Sequence, residues 1–499
     1  MKPELIVNNS YAELKDFPQE IVDAIDTVLT VHNDIELEKQ YLQRQIKFFG
    51  RNKDSPKMRK LCGFHKKKLK DLLASEFVHW LRDGKFPTGH LNIVKDVIEV
   101  FNVKYTFSDL RRIPQKQYEF ILCKPFHDPR YYQKEIHEIA MREGRGVVES
   151  AVGTGKTDML MRLIFELGVV SLIVVPSKPL LKQLEPLLKE HFGRRNVIRL
   201  GSEKLSKSKL RKVKKTPIRL INIQSLAAAR KKGNISDLIS DVDAIFIDEI
   251  HHAGSKSYTD LMTHTDHIYH RFGFTGTFLR NDSKTLDMWG FLSNKLYSYP
   301  AWKAIEDGFL TPVEVILHEI EGVRKRFYQG EYTANYCGTK KKYPEALLGE
   351  IKNIFDNYVK PSDQVLILVN LKDKCGAIIH EFLDDIGVEN TYISGDSEED
   401  EIDDAIREFN AKTVKVLIGS RVIGEGIDIR TADHLIMAQG GKSEIAMVQA
   451  AGRLVRLSPG KKVGYLHDFL FRDTKYMEKH WKLRKTIYKN NLAPKFTAA

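Results

Sequence analysis

The chain has 499 residues, which is too long for one ordinary domain and predicts about three domains. Hydrophobic residues make up 42% and charged residues 29%, as in ordinary globular proteins, and no apolar run reaches the roughly 18 residues of a membrane span. The formal net charge of +13 favours nucleic acid as a partner, because Lys and Arg neutralise phosphates.

The N-terminus and the cysteines indicate the compartment. The first twenty residues contain acids early and no apolar stretch before a small-residue cleavage site, so they do not have the pattern of a signal peptide. We therefore expect a cytoplasmic protein. Cys62, Cys123, Cys337 and Cys375 are scattered without a CxxC pair, which predicts reduced thiols rather than a zinc knuckle or a disulfide framework.

The first 115 or so residues differ from the rest of the chain. They combine helical stretches, such as residues 18–35, with a Lys-rich segment at residues 58–73 and a turn at residues 86–90. The sequence therefore predicts a small α+β accessory domain over residues 1–115.

From Val147 onward, short β-branched runs alternate with longer mixed segments, the pattern of a parallel sheet with crossover helices. The first series of runs lies at residues 172–176, 218–223, 244–248 and 272–277. The second series lies at residues 313–320, 364–370, 414–420, 434–438 and 463–469. The predicted fold class is α/β, with two tandem parallel-sheet lobes over residues 116–312 and 313–472.

Two segments fall outside this alternation. Residues 321–343 show little periodicity and include three lysines at 340–342, so we expect an exposed insertion at the start of the second lobe. Residues 473–499 are rich in Lys and are expected to form a basic C-terminal tail.

A strand, a Gly-rich turn and a helix follow one another in GVVESAVGTGKTDML, the order that a phosphate-binding loop requires. The candidate phosphate ligands are Gly153, Thr154, Gly155, Lys156 and Thr157. Lys156 would reach the β and γ phosphates of ATP, and the Thr157 hydroxyl would ligate Mg²⁺. Ser150 stands at the first small-residue position, where Gly or Ala is commoner. A chance GxGKT in a loop is the alternative.

The strand-like run AIFID ends in an acidic pair, Asp248 and Glu249, followed by His251. Ligands of parallel α/β sheets bind at the carboxyl ends of the strands. Asp248 would hold Mg²⁺ opposite Thr157, and Glu249 would orient and deprotonate the attacking water. His251 would sense the γ phosphate. Taken singly, such an acidic pair is usually a polar helix cap.

The phosphate loop, DEIH, FTGTF and QAAGRLVR occur in the order that defines superfamily 2 helicases of the DExH type, and the chain resembles this family over about residues 130–469. The resemblance implies two RecA-like lobes that sandwich ATP. It places Arg130 and Gln133 of RYYQ on the adenine, and Gly426 and Asp428 of SRVIGEGIDI near the ATP sugar. It also places Gln449, Arg453 and Arg456 of QAAGRLVR at the γ phosphate, the arginines acting as a finger from the second lobe.

Two further motifs are similar to the family's strand-tracking elements. VVPSKPLLKQ supplies Ser177, Lys178 and Gln183 as candidate nucleic-acid contacts, and NIQSL supplies Gln224 and Ser225. FTGTF, with Thr275, Gly276 and Thr277, resembles the motif that links hydrolysis to lobe movement, although Gly276 replaces the usual Ala. The motifs of both strand-tracking elements also fit plain strand-to-helix turns.

The following LRND and the N-terminal segment resemble UvsW-type phage helicases. That resemblance implies an ATP- and Mg²⁺-dependent enzyme that remodels branched or forked DNA, by annealing strands, migrating junctions and reversing forks, with 3′-to-5′ polarity. It would act in the host cytoplasm if phage-encoded. Three alternatives stay open: a DExH RNA helicase, a duplex translocase that does not separate strands, and an ATP-gated nucleic-acid sensor.

Overall fold

The computed structural model describes residues 2–32, 39–40, 42–43, 45–47, 56–74, 77–202, 206–250, 258, 261, 264–276, 289–338, 343–370, 375–420, 429, 431–441 and 443–499. Every statement below on structure refers to these residues.

The N-terminal unit is a small α+β domain. Its strands are β1 (Glu4–Val7), β2 (Tyr11–Lys15), β3 (Thr30–His32), β4 (Phe77–His79), β5 (Lys85–Pro87) and β6 (Thr106–Asp109), and its helices are α1 (Gln19–Val28), α2 (Pro56–Ala74) and α3 (Leu91–Val100). Four strands form a sheet of order β5-β2-β1-β6, while β3 and β4 form a separate antiparallel pair. The helices α1 and α3 are amphipathic, and their buried faces join the sheet's core residues in one cluster.

This unit lies directly against the first lobe. The buried guanidinium of Arg145 donates to the carbonyl oxygens of Asn9 at 2.9 Å and Tyr269 at 3.0 Å. The Asn9 amide donates to the carbonyl of His267 at 3.0 Å. The contact leaves no room at Gly89, where an added Cβ would lie 1.8 Å from the carbonyl oxygen of Trp289. The N-terminal unit and the first lobe therefore form a closely packed pair.

The first lobe is a seven-stranded parallel sheet of order β13-β7-β12-β11-β8-β10-β9. Its strands are β7 (Arg145–Ser150), β8 (Ser171–Val175), β9 (Val197–Arg199), β10 (Ile218–Asn222), β11 (Ala244–Ile247), β12 (His270–Thr275) and β13 (Lys295–Tyr299). Its helices are α4 (Tyr131–Glu143), α5 (Lys156–Leu167), α6 (Lys178–Phe192), α7 (Lys207–Lys215), α8 (Ile223–Lys231), α9 (Ile235–Ile239) and α10 (Ala301–Glu306). The central strands are buried along their whole length, as strands covered by helices on both faces must be.

The second lobe repeats this plan with a seven-stranded parallel sheet of order β16-β17-β15-β18-β19-β14-β20. Its strands are β14 (Val313–Glu321), β15 (Val365–Leu368), β16 (Asn390–Ile393), β17 (Val416–Gly419), β18 (His434–Ile436), β19 (Gly464–Arg472) and β20 (Lys495–Ala498). Its helices are α11 (Tyr328–Tyr332), α12 (Glu345–Asn357), α13 (Cys375–Asp385), α14 (Glu399–Asn410), α15 (Glu444–Leu454) and α16 (Tyr476–Leu492), with a π-turn at Thr333–Cys337 after α11. The predicted fold class, two tandem RecA-like α/β lobes, is confirmed.

The segment expected as a basic tail is instead part of the second lobe. Helix α16 packs on the lobe, and β20 pairs in parallel with β14. Arg484 of α16 forms a buried two-pronged ion pair with Asp468, at 2.8 Å for both contacts. The sequence signal was a buried stripe at helical spacing, which includes Met477, Trp481 and Tyr488, hidden among exposed lysines.

Two expectations for the cysteines and the insertion are corrected. Cys337 and Cys375 form a disulfide, so the prediction of four reduced thiols is wrong for this pair, while Cys62 and Cys123 are free. The pair is 38 residues apart in sequence, and only folding brings the π-turn onto the start of α13. The prediction of an exposed insertion at residues 321–343 holds for most of residues 321–330 and for Tyr343, but not for residues 331–338 between them. Residues 331–338 include the buried side chains of Glu331, Asn335 and Tyr336.

Among the described helices, none combines the length and the apolar composition that crossing a bilayer requires.

Acid is expected to loosen the N-terminal unit from the first lobe through His90. This side chain is fully buried beside Gly290, its ring nitrogens have no hydrogen-bond partner among the described residues, and burial lowers its pKa to about 4. In the folded protein the His90 side chain stays neutral down to a pKa of about 4. In the unfolded chain the same side chain takes up a proton as the pH falls below its usual pKa of about 6.5. Stability is therefore full above pH 6.5 and falls between pH 6.5 and 4, by roughly 3 kcal/mol at this site.

The measurement is the urea midpoint of unfolding at pH 7 and pH 5, with the fluorescence of Trp80 and Trp289 as a probe of the interface. The His90→Leu variant should lose less stability on acidification than the wild type. The exposed His79→Gln variant should behave as the wild type. Equal acid losses in the wild type and His90→Leu would contradict the assignment.

Candidate nucleotide and nucleic-acid site

The phosphate loop connects β7, which ends at Ser150, to α5, which begins at Lys156. Gly153 and Gly155 both have a φ of 87°, a conformation that favours glycine. The Thr154 hydroxyl donates to the carbonyl of Ala151 at 2.6 Å and lies 2.6 Å from the Ser150 hydroxyl. Ser150, the unusual first residue of the loop, thus supplies a hydrogen bond that fastens the turn.

The fold brings the loop lysine and the acidic pair together. Strand β11 lies two positions from β7 in the sheet and ends just before Asp248. The ammonium of Lys156 lies 3.9 Å from a Glu249 carboxylate oxygen and donates to the Ser150 carbonyl at 3.2 Å. Glu249 has a φ of 48°, which is uncommon for a residue other than glycine, and its N–H donates to Asp248 at 3.0 Å. The turn therefore holds both carboxylates at the carboxyl edge of the sheet.

These groups suit a magnesium-bound triphosphate. A Gly-rich turn followed by the twelve-residue helix α5 presents backbone N–H groups and the positive end of the helix dipole to an anion. The Thr157 hydroxyl and the Asp248 carboxylate are the hard oxygen donors that Mg²⁺ prefers. The donor set fits both groups by its chemistry, and the individual ligand roles remain predictions.

Gly276 of the FTGTF segment lies against the phosphate loop. A Cβ added at Gly276 would lie 3.0 Å from the Lys156 ammonium and 3.1 Å from a methyl of Val152. The glycine that replaces the family's usual alanine therefore leaves space for the lysine. Since β12 lies between β7 and β11, movement at Thr275 would reach both halves of the phosphate site.

The residues expected to contact adenine support the loop in this structure. The Gln133 amide donates to the Thr154 carbonyl at 3.1 Å, and the Tyr132 hydroxyl donates to the same oxygen at 2.7 Å. Arg130 lies over the Phe309 ring at 4.6 Å. Tyr132 also stacks on Tyr299 at 3.8 Å. Sequence reasoning missed Tyr299 and Phe309, which lie outside any recognised motif.

A pocket of about 300 Å³ opens beside Gln133. Arg162 lies over the Phe126 ring at 5.0 Å and pairs with Asp158 at 2.8 Å. A flat arginine and an aromatic ring are the groups on which a purine stacks well. The lining residues are Phe126, Pro129, Gln133, Lys134, His137, Glu138, Arg162, Phe165 and Glu166.

The second lobe closes on the phosphate loop through the end of α15. A Cβ added at Gly452 would lie 2.7 Å from the Cβ of Val152, and one added at Gly153 would lie 3.5 Å from the Cγ of Arg456. Thr311 fixes this end of the helix, since its N–H donates to the Val455 carbonyl at 2.7 Å. Burial lowers the pKa of Arg456. The geometry thus brings Arg456 of one lobe to the phosphate loop of the other. Gln449 and Arg453 lie on α15 itself.

A second bridge between the lobes is weaker. The Lys182 ammonium on α6 lies 2.8 Å from Glu399 and 3.4 Å from Asp403 on α14. All three side chains are largely exposed, and exposed ion pairs contribute only about 0–1 kcal/mol. Such a bridge can be broken and remade as the cleft opens and closes.

The two strand-tracking motifs lie side by side because β8 and β10 are neighbours in the sheet. Ser177 caps α6 by accepting the N–H of Leu180, and Asn222 caps α8 by accepting the N–H of Ser225 at 2.7 Å. The Gln224 amide ties the two turns by donating to the Pro176 carbonyl at 2.9 Å. Two helix N-termini therefore face the same edge, which favours phosphates.

The exposed side chains at this edge include Lys178 and Gln224, while Gln183 lies further along α6. Four predicted site residues, His251, Thr277, Gly426 and Asp428, lie outside the described residues.

Two family models match the chain in tandem. "Type III restriction enzyme, res subunit" matches residues 126–280, and "Helicase conserved C-terminal domain" matches residues 346–458. The first match includes the phosphate loop with the acidic pair, and the second includes α15 with its arginines. The chain belongs to the superfamily 2 helicases.

Relatives and solved structures agree with this assignment. A viral helicase homologue from Sulfolobus islandicus filamentous virus is 21% identical over 431 residues, which are 76% of this helicase and 76% of the relative. The ATP-dependent DNA helicase uvsW of Enterobacteria phage T4 is 22% identical over 364 residues, covering 69% and 68%. S. cerevisiae Dbp5 bound to RNA and ADP BeF3 has a similar fold, with 14% identity, a TM-score of 0.53 and coverage of 75% and 90%.

The predicted resemblance to superfamily 2 helicases is confirmed, and the two domains are those of an ATP-dependent helicase. Further relatives from yeast and haloarchaea are longer, and this helicase spans about half of their length.

Substitution of Gly452 by Ala should weaken closure of the cleft. The added methyl would overlap Val152 in the closed arrangement. The nearest atom is the Cβ of Val152, which cannot move aside as the end of a flexible side chain could. We expect ATP hydrolysis at saturating nucleic acid to fall about tenfold or more, which corresponds to roughly 1.4 kcal/mol.

Gly349→Ala is the matched control. Gly349 lies within α12, and an added Cβ there meets nothing within 4 Å, so hydrolysis should be unchanged. Steady-state ATPase rates of the two variants and the wild type provide the comparison. A Gly452→Ala protein that hydrolyses ATP at the wild-type rate would show that this contact is not used.

Proposed function

We propose that the chain is an ATP-dependent DNA helicase or translocase that remodels branched DNA. The observation that supports it most is the closed cleft, where Arg456 of the second lobe lies beside Gly153 of the phosphate loop. A site completed by two lobes couples ATP binding and hydrolysis to lobe movement. Nucleic acid held by both lobes would then be moved along.

Each residue of the cleft has a proposed role. Lys156 and the N–H groups at the start of α5 bind the phosphates, and Glu249 orients and deprotonates the attacking water. The magnesium ion, when bound between Thr157 and Asp248, neutralises phosphate charge. Arg453 and Arg456 add positive charge from the second lobe, with Gln449 on the same helix. The purine base would occupy the pocket beside Gln133, near Arg130.

The paired turns of the first lobe would bind one nucleic-acid strand. Ser177, Lys178, Gln224 and Ser225 lie on or beside two adjacent helix N-termini, which suit sugar and phosphate rather than base edges. Binding is therefore expected to tolerate any sequence and to weaken with salt.

The preference for branched DNA rests on the N-terminal unit. Helix α2 carries exposed Lys66, Lys67, Lys68 and Lys70, and the unit to which it belongs is packed on the first lobe by Arg145. A basic helix in this unit would be able to bind the duplex next to the strand that is being pulled. The similar T4 protein is named an ATP-dependent DNA helicase, which favours DNA over RNA. We expect the protein to act in the cytoplasm, or in the host cytoplasm if phage-encoded.

The test compares ATP-dependent processing of a DNA fork, a four-way DNA junction and an RNA duplex at equal salt. The wild type should act preferentially on the fork and the junction. Lys156→Ala and Glu249→Gln should abolish this activity, while the exposed controls Lys360→Ala and Glu389→Gln should retain it.

Three results would contradict the proposal in different ways. Preferential unwinding of the RNA duplex would identify an RNA helicase. ATP hydrolysis with movement along duplex but no strand displacement would identify a duplex translocase. ATP-dependent binding without movement would identify a sensor.

A further inference from the structure

The second lobe carries an exposed surface in which cationic side chains lie next to aromatic rings. We call it the basic–aromatic face and define it as Arg324, Lys325, Arg326, Phe327, Tyr328 and Tyr343. Phe327 is 67% exposed and Tyr343 is 54% exposed, which is unusual for rings of this size. The Arg326 guanidinium lies over the Phe327 ring at 5.2 Å. Neither the ATP cleft nor the paired turns of the first lobe include this face.

The charge of the surrounding segment is strongly positive. Residues 322–343 contain six Lys and Arg and a single acid, Glu331. Glu331 is fully buried, and its carboxylate accepts backbone N–H groups of Tyr476 at 2.6 Å, Met477 at 3.0 Å, Lys475 at 3.2 Å and Lys325 at 3.3 Å. Burial alone would raise the pKa of Glu331, but these N–H groups hold it below its usual value. The one acid is therefore a buried carboxylate that anchors the segment, and the exposed charged side chains of the segment are cationic.

Internal contacts hold the face in one shape. The Asn335 side chain accepts the N–H of Val323 at 2.8 Å and donates to its carbonyl at 3.0 Å. The Cys337–Cys375 disulfide ties the following π-turn to α13. Tyr328 packs at 5.0 Å from the ring of His480 on α16. A surface fixed in this way loses little entropy when it binds a partner.

Position and shape also favour a strand of nucleic acid. Strand β14 ends at Glu321, so the segment leaves the carboxyl edge of a parallel sheet, where ligands of such sheets bind. A pocket of about 610 Å³ lies beside the face, lined by residues that include Val323, Lys325, Gln329, Tyr343 and Phe471. A volume of this order can hold a small ligand or a single base.

We propose that the basic–aromatic face binds an unpaired nucleic-acid strand, with phosphates on Arg324, Lys325 and Arg326 and bases stacked on Phe327 and Tyr343. Exposed rings set among cations form the stacking platform used for single strands, and stacking tolerates every base. The inference rests on the proposed function and deepens it. One strand is held by the paired turns of the first lobe, and the face in the second lobe takes unpaired strand outside that path, as strand exchange at a branch requires.

The test uses the full chain and a single-stranded DNA oligonucleotide that contains 2-aminopurine, whose fluorescence is quenched on stacking. Phe327→Leu keeps the approximate size of the side chain and removes the ring. It should weaken binding at least about fivefold and reduce the quenching. Phe327→Tyr should restore both, and Tyr343→Ala should add to the loss. Arg324→Gln with Arg326→Gln should reduce the salt dependence of binding.

Trp302→Ala is the matched control, since Trp302 is an aromatic residue 43% exposed on α10 of the first lobe and is not part of the face. It should bind the oligonucleotide as the wild type does, and ATP hydrolysis without DNA should be unchanged in all variants. Wild-type affinity and quenching in Phe327→Leu and Tyr343→Ala would overturn the proposal. Full displacement of the oligonucleotide by an equal charge of polyglutamate would also overturn it, because it would show a site for acidic protein.

The failure of this inference can be distinguished from failure of the proposed function. If the wild type does not process forks but Phe327→Leu still loses affinity, the face binds a strand and the branch-remodelling function is wrong. If forks are processed and Phe327→Leu binds normally, only the face is wrongly assigned.

Discussion

The contact between the phosphate loop and the end of α15 is the constraint on which the rest of this helicase depends. Gly452 allows the two lobes to approach until a methyl group would no longer fit between it and Val152, and the approach brings Arg456 beside Gly153. Thr311, at the connection between the lobes, holds the end of α15 because its N–H donates to the Val455 carbonyl and its hydroxyl donates to the Arg456 carbonyl. Because Lys156 and Glu249 belong to one lobe and Arg456 to the other, the proposed set of charges around the phosphates would be complete only when the cleft is closed.

The strengths of the other contacts follow from this requirement. Within each lobe the elements are joined by buried parallel strands and by buried ion pairs such as Arg484 with Asp468. Leaving either partner of such a pair unpaired costs about 3–5 kcal/mol. Across the cleft, Lys182 adds ion pairs to Glu399 and Asp403 that are exposed and therefore weak. The two lobes also share one buried apolar cluster, and α10 of the first lobe packs against α16 of the second, so the closed arrangement is stabilised by more than the α15 contact. The N-terminal unit, fixed to the first lobe by Arg145, is expected to move with that lobe.

Much of the fold and of the ATP site could be predicted from the sequence because both depend on local patterns. The central strands are buried on both faces and so appear as continuous apolar runs, and the phosphate loop needs glycine at two positions with positive φ. The rest required the fold. The stripe of α16 is masked by exposed lysines, the disulfide joins residues 38 apart, and the pocket beside Gln133 depends on Phe126 and Arg162, which no motif marks. The structure gave Gln133 a contact with the loop that its motif does not predict.

The central claim is that an arginine of the second lobe completes the ATP site of the first. The most direct test measures ATP affinity and single-turnover hydrolysis, with nucleic acid present, for Arg456→Ala beside the exposed control Arg407→Ala. We predict that Arg456→Ala binds ATP nearly as well as the wild type but hydrolyses it about 10³-fold to 10⁵-fold more slowly, as expected for loss of an arginine finger. Arg407→Ala should match the wild type. Hydrolysis by Arg456→Ala at a rate close to that of the wild type would contradict the account.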